Sequence, residues 1–140
     1  MKFIIFLGLI IISQAFGFSN KTKESPVNEP EVKFYTLKSD YHKGEEVCFV
    51  FENRSSKQIY LPSAAPWAVF SKDKPEMAVY SPLSVQVITI VKPSEKKKWC
   101  WNQKDIEGKE VPSGEYYIRI TFFDDKGNSF FKKAIFRINF

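Results

Sequence analysis

The chain has 140 residues, with 21 lysines and arginines against 16 aspartates and glutamates, a net charge of +5. That length holds one domain with a real core and leaves no room for a second. So modest a basic excess pulls only weakly toward anionic surfaces and is ordinary for a soluble domain.

The first residues read as a secretory signal, with the charged Met1-Lys2 followed by an unbroken apolar run from Phe3 to Ile12. This run falls short of the roughly 20 residues that a membrane-spanning helix needs. Ala15-Phe16-Gly17 supplies the small-x-small pattern of a signal peptidase site, so cleavage is expected after Gly17. The alternative is an uncleaved anchor, the apolar stretch continuing to Phe18 through Ser13 and Gln14. Residues 1–17 are therefore assigned as a signal peptide. Residues 18–30, polar and holding Pro26 and Pro30, are a flexible leader, and 31–140 are the folded domain. No cysteine follows the signal, so a lipoprotein anchor is not expected. The processed chain is expected to be periplasmic or extracellular, with no integral membrane segment and no nucleic acid among its partners.

From Glu31 onward short β-rich runs alternate with turn residues, and no stretch shows the period of an amphipathic helix. Val32–Phe34 with Leu37 predicts a first strand. The segment Asp40 to Gly44 predicts a turn into a second strand, Glu45 to Glu52, where Val47, Phe49 and Phe51 share a face. Asn53 to Ser56 is a polar turn before Gln58–Leu61, and Pro62 and Pro66 exclude a central strand between them. Trp67–Phe70 and Met77–Tyr80 are short strands about a Lys72–Pro75 turn, and Ser84–Val91, rich in valine and isoleucine, is a strong strand ended by Pro93-Ser94-Glu95. Lys97–Trp101, Glu115–Phe123 and Ser129–Asn139 complete the set. The last two form a hairpin on Asp124 to Asn128, where Gly127 serves the left-handed position. Seven to nine strands at this spacing predict an all-β fold, an immunoglobulin-like β-sandwich of mostly antiparallel strands.

Cys48 and Cys100 are the only cysteines, and an exported chain with an even count is expected to pair them. Val47 and Phe49 flank one, Trp99 and Trp101 the other. With those neighbours in the core, both sulfurs turn to the same outer sheet face. If the two strands are adjacent, a cross-strand bridge is possible, closing a loop of about 50 residues worth roughly 4 kcal/mol. The competing readings are two free thiols or one catalytic thiol. A nucleophile needs a base, and the sole histidine, His42, lies in a predicted turn with no third orienting group identified. One histidine and two cysteines cannot complete the usual zinc site without a carboxylate, so no metal and no cofactor is expected.

Other constellations have plainer readings. Glu45-Glu46 and Asp124-Asp125 are doublets whose members point to opposite faces of a strand, so neither makes an acid–base pair. Asp124 to Asn128 lacks the oxygen spacing of a calcium loop. Lys96-Lys97-Lys98 reads as gatekeeping of an apolar strand rather than a binding patch, and the many aromatics as core. Asn20-Lys21-Thr22 and Asn53-Arg54-Ser55 match the N-glycosylation pattern. No phosphate loop or nucleophile-elbow serine is present, and no enzymatic activity is expected.

The order of features from Glu45 to Phe123 is similar to that of the BsuPI family, domains related to the intracellular proteinase inhibitor of Bacillus. The similarity runs through Asn53-Arg54-Ser55-Ser56, Trp67-Ala68-Val69-Phe70 and Trp99-Cys100-Trp101-Asn102-Gln103-Lys104-Asp105. It ends with Gly108-Lys109-Glu110-Val111-Pro112-Ser113-Gly114-Glu115-Tyr116. It implies a non-enzymatic domain that binds a protein, with a protease as one such partner, and carries no reactive residue over. The chain departs from that family in being exported and in its two cysteines. The expected function is a binding module acting through loops at one end or an exposed sheet edge. Pro62, Ala64 and Pro66 in one loop and Asp105, Gly108 and Gly114 in another are the candidate contact residues. The alternative is an envelope accessory protein that contacts another subunit or a surface polymer by strand addition.

Overall fold

A computed structural model describes residues 28–140; the assigned signal peptide, most of the leader and Asn20 lie outside the described residues. Nine strands form two sheets, with no helix among the described residues: β1 (Val32–Thr36), β2 (Asp40–His42), β3 (Val47–Asn53), β4 (Ile59–Leu61), β5 (Trp67–Ser71), β6 (Thr89–Val91), β7 (Lys96–Trp101), β8 (Gly114–Phe123) and β9 (Ser129–Asn139). The smaller sheet has the order β1-β3-β7 and the larger β2-β9-β8-β4-β6, with β5 on the same edge of β8 as β4. The chain is thus the immunoglobulin-like sandwich that its strand spacing predicts.

Alternation within each strand builds the core. Val47, Phe49 and Phe51 of β3 and Trp101 of β7 point inward from one sheet, and Ile118, Ile120, Phe122, Phe136 and Ile138 from the other. Aromatic rings close the space between the layers, Phe51 on Phe122 at 5.3 Å and Phe49 edge-on to Trp67 at 4.8 Å. The β8–β9 hairpin pairs over ten positions from Gly114↔Ile138 to Phe123↔Ser129. Its turn works as its sequence predicts: Gly127 has φ +84°, and the Asp124 carboxylate accepts hydrogen bonds from the Lys126 and Asn128 amides at 2.9 Å. The lysine run lies on β7, an edge strand of the smaller sheet, where cationic side chains blunt pairing with other chains.

Three expectations need correction. Asp40–His42 is not part of a turn: it is β2, parallel to β9, because Tyr41 is buried edge-on to Phe136 at 6.0 Å and the Arg137 amide donates to Ser39 O at 2.9 Å. The reversal is confined to Lys43 and Gly44, the latter at φ +90°. Met77–Tyr80 is no strand: it contributes only an isolated bridge, Tyr80 to Val69. Ser84–Val91 is a strand only over Thr89–Val91. The strand opposite, β4, ends at Leu61↔Thr89, and Pro62 follows with no amide to extend the ladder. Among the described residues, 84–88 therefore have no strand alongside them.

Candidate functional site

Between β5 and β6 the chain makes an excursion, residues 72–88, along the outer edge of β5. It is held at a few points. The Val69 amide donates to Tyr80 O at 2.9 Å and the Val79 amide to Val69 O at 2.7 Å, while the Tyr80 ring lies 5.9 Å from that of Trp67. Beyond Tyr80 the backbone is loose. Among the described residues the backbone groups of 81–88 make one mutual hydrogen bond, from the Val87 amide to Val85 O at 2.8 Å, a three-residue turn centred on Gln86.

That small turn shifts the phase of alternation. Before it Leu83 faces water, at its two ends Val85 and Val87 do, and after it Ile88 and Ile90 do. Leu83 is 99% exposed and Ile88 68%. Five large apolar side chains in eight residues thus stand in solvent, on a segment with no charge between Pro82 and Val91. Beside it lies a cleft of about 240 Å³ whose lining includes Arg119, Thr121, Ser63, Pro66, Ser84 and Gln86.

The two predicted loops flank this excursion without a hydrogen bond to each other. In the first, Pro62 and Pro66 are half-buried and Ala64 is exposed. The loop is braced by the Ala65 amide donating to Ser84 Oγ at 3.1 Å and by Trp99 Nε1 donating to Ala64 O at 3.1 Å. In the second, Asp105 closes a tight turn, its carboxylate accepting from the Glu107 and Lys109 amides at 2.9 Å. Gly108 is exposed there at φ +84°, and Ile106 donates to Val79 O at 3.1 Å. Gly114 is not at the loop tip: it is the first residue of β8.

Cys48 and Cys100 form a disulfide between directly opposed residues of β3 and β7, on the outer face. Cys48 O accepts from the Leu37 amide on the β1 side, so toward β7 this is the closer, non-hydrogen-bonded type of pair. The Glu46 carboxylate lies within 4.8 Å of both sulfurs. The bond between the sulfurs removes both as thiolate ligands or nucleophiles.

Some structural residues left no sequence signal. Gln103, at φ +64° and buried, donates from Nε2 to His42 O at 2.8 Å and Glu45 O at 2.9 Å, and its Oε1 accepts from the Gly44 amide at 3.2 Å. Tyr116 donates to Pro112 O at 2.6 Å, four residues upstream at the start of β8, as in the tyrosine corner of immunoglobulin-type sandwiches. Burial pushes its hydroxyl above the ordinary tyrosine range, the Asp73 charge adding to the rise. Asn53, the second glycosylation candidate, is 0% exposed and donates from Nδ2 to Lys57 O and Val91 O, so it is a structural residue rather than an acceptor.

No protein-family model and no curated protein matches the chain. Among solved structures it is similar to the Salmonella enterica SafA pilin in complex with the SafB chaperone, at TM-score 0.52 and 16% identity, covering 81% of this chain and 57% of that one. It also matches the soluble domain of PmoD from Methylocystis, at TM-score 0.44 and 9% identity over 81% of this chain and 95% of that one. A third match is the human CEP192 PapD-like domain, at TM-score 0.36 and 14% identity over 86% and 96%. The chain spans little more than half of the Salmonella chain, and at this identity the likeness is one of fold: an immunoglobulin-like sandwich.

Proposed function

We propose that the protein is an exported, non-enzymatic binding module that takes a protein partner by strand addition along residues 83–90. One observation carries this reading: a β-prone, charge-free segment lies beside a finished sandwich with its backbone largely unpaired and its apolar side chains in water. An extended chain alongside it would satisfy those backbone groups and cover those side chains at once. The Salmonella complex pairs a pilin with a chaperone on a similar fold, which suits a protein as the partner. A photo-crosslinking residue at Val87, in the cells that make the protein, is expected to yield a discrete protein adduct, lost when Val85→Lys is added. Absence of any adduct ends the proposal.

Protease inhibition is the finer reading that the family similarity implies. Its support is the bracing of the Pro62–Pro66 loop by Ser84 and Trp99, since a rigid loop loses little entropy on entering a cleft. Titration of serine, cysteine and metalloproteases with the purified protein tests it. Stoichiometric loss of one activity without cleavage of the loop supports inhibition, and full activity at high excess removes it.

A further inference from the structure

Among the described residues nothing covers the outer face of the larger sheet along β9, and the outward row of that strand has a pattern of its own. Along β9 the outward residues are Phe131, Lys133, Ile135 and Arg137, apolar and cationic in strict alternation. At the spacing of a strand they form a row roughly 20 Å long. Phe131 is 57% exposed and Ile135 61%. Behind this row Arg119 of β8 stands opposite Lys133, its guanidinium 5.3 Å from the Phe70 ring and 5.7 Å from the Phe131 ring. Lys133 Nζ lies 4.6 Å over the Tyr117 ring. The aromatic faces thus hold the cations by attraction to their rings.

The charges on this face are not all answered. Arg137 and Lys72 share Glu115, at 2.6 and 3.1 Å. Arg119 and Lys133 form no ion pair among the described residues. An exposed face with two cations that have no ion-pair partner among the described residues, flanked by exposed phenylalanine and isoleucine side chains, matches a partner that is anionic at its surface and apolar just beneath.

We propose that this face docks on an anionic lipid bilayer, with Arg119 and Lys133 at the headgroups and Phe131 and Ile135 in the apolar boundary below them. An anionic polymer would engage the cations but would gain nothing from Ile135, and the Phe70 and Tyr117 rings beneath Arg119 and Lys133 are buried and closed to sugar stacking. Arg119 also lines the cleft beside the 83–90 segment, so the two surfaces adjoin, but the lipid proposal does not depend on the function proposed for that segment.

The test is partition of the purified protein, with the N-terminus the cell leaves on it, onto vesicles of phosphatidylglycerol with phosphatidylcholine and of phosphatidylcholine alone. Binding is expected only with the anionic lipid and is expected to weaken in high salt. Lys133→Gln is expected to lower partition roughly fivefold, the worth of one charge at an anionic surface. Ile135→Ser is expected to lower it as well, and Lys98→Gln, on the outer face of the other sheet, to leave it unchanged. All three positions are exposed, and circular dichroism checks that each variant is folded. Equal binding to both vesicles, no binding, or an equal loss with Lys98→Gln overturns the proposal. So does Ile135→Ser binding like the unaltered protein while dextran sulfate competes, the result expected of a polymer-binding face.

Discussion

Cys48 and Cys100 face each other across the β3–β7 ladder with their Cα atoms 4.0 Å apart, outside a core to which both their strands contribute. The bridge acts as a clamp on a finished sheet rather than as part of its filling. Replacing both cysteines with serine is expected to cost up to about 4 kcal/mol, the entropy of the loop it closes. Urea midpoints of the two proteins measure this. The near-ultraviolet dichroism of the aromatic core is expected to survive, since no sulfur is among the buried core residues.

Gln103→Ala removes a side chain that satisfies three backbone groups of the 42–45 turn. A loss of roughly 2 to 3 kcal/mol is expected, because buried partners left unsatisfied cost more than a hydrogen bond contributes. Amide exchange at Gly44 is expected to accelerate in the variant, and an unchanged rate there counts against this role.

Tyr116→Phe keeps the ring in the core and removes only its bond to Pro112 O. About 1 kcal/mol is expected to be lost. Thermal unfolding that matches the unaltered protein would show that the bond contributes nothing net.

Glu115 bridges Lys72 and Arg137, whose hydrogen bonds hold its carboxyl below the ordinary carboxylate value. With the folded-state value depressed, its contribution to stability is present above the ordinary carboxylate range and is lost as pH falls through the folded value. Glu115→Gln is therefore expected to melt below the unaltered protein at neutral pH and level with it in acid. A gap that persists in acid would assign the effect to packing.

Val85→Lys and Val87→Lys lie on the exposed segment and are expected to leave the unfolding midpoint within about 0.5 kcal/mol. They are also expected to reduce association of the protein at high concentration, because a lysine there blocks edge pairing. Light scattering reads this, and a large destabilisation would show that these side chains are structural.

The sequence made some of this fold legible and hid the rest for physical reasons. The β8–β9 hairpin announces itself because its signals are local: two alternating runs and a turn whose glycine takes the left-handed position. The outward disulfide is legible for the same reason, since flanking valine, phenylalanine and tryptophan residues settle which way each sulfur turns. Ser84–Val91 misleads because β propensity describes a residue's fit to a sheet and not whether a neighbouring strand is there to meet it. The relevant signal was Pro62, twenty-odd residues away, which stops β4. Asp40–His42 misleads in the opposite sense, since polar residues typical of turns become a strand through contacts with β9, almost a hundred residues later. Of the candidate surface, the Pro62–Pro66 loop was visible as a rigid element, but the exposure of Leu83 and Ile88 followed only from the missing partner strand.

The position of β9 has a consequence for how the molecule comes into being. It lies between β2 and β8 in the larger sheet, yet among the described residues it follows every other strand. During synthesis β2 (Asp40–His42) is made long before its neighbour β9 (Ser129–Asn139), so the larger sheet cannot close while the ribosome is still adding residues before Ser129. Cooperative folding of this sheet is thereby deferred until β9 has been made. Until then β2 has no strand beside it, and the two halves of the larger sheet, one made early and one late, are joined only when β9 arrives.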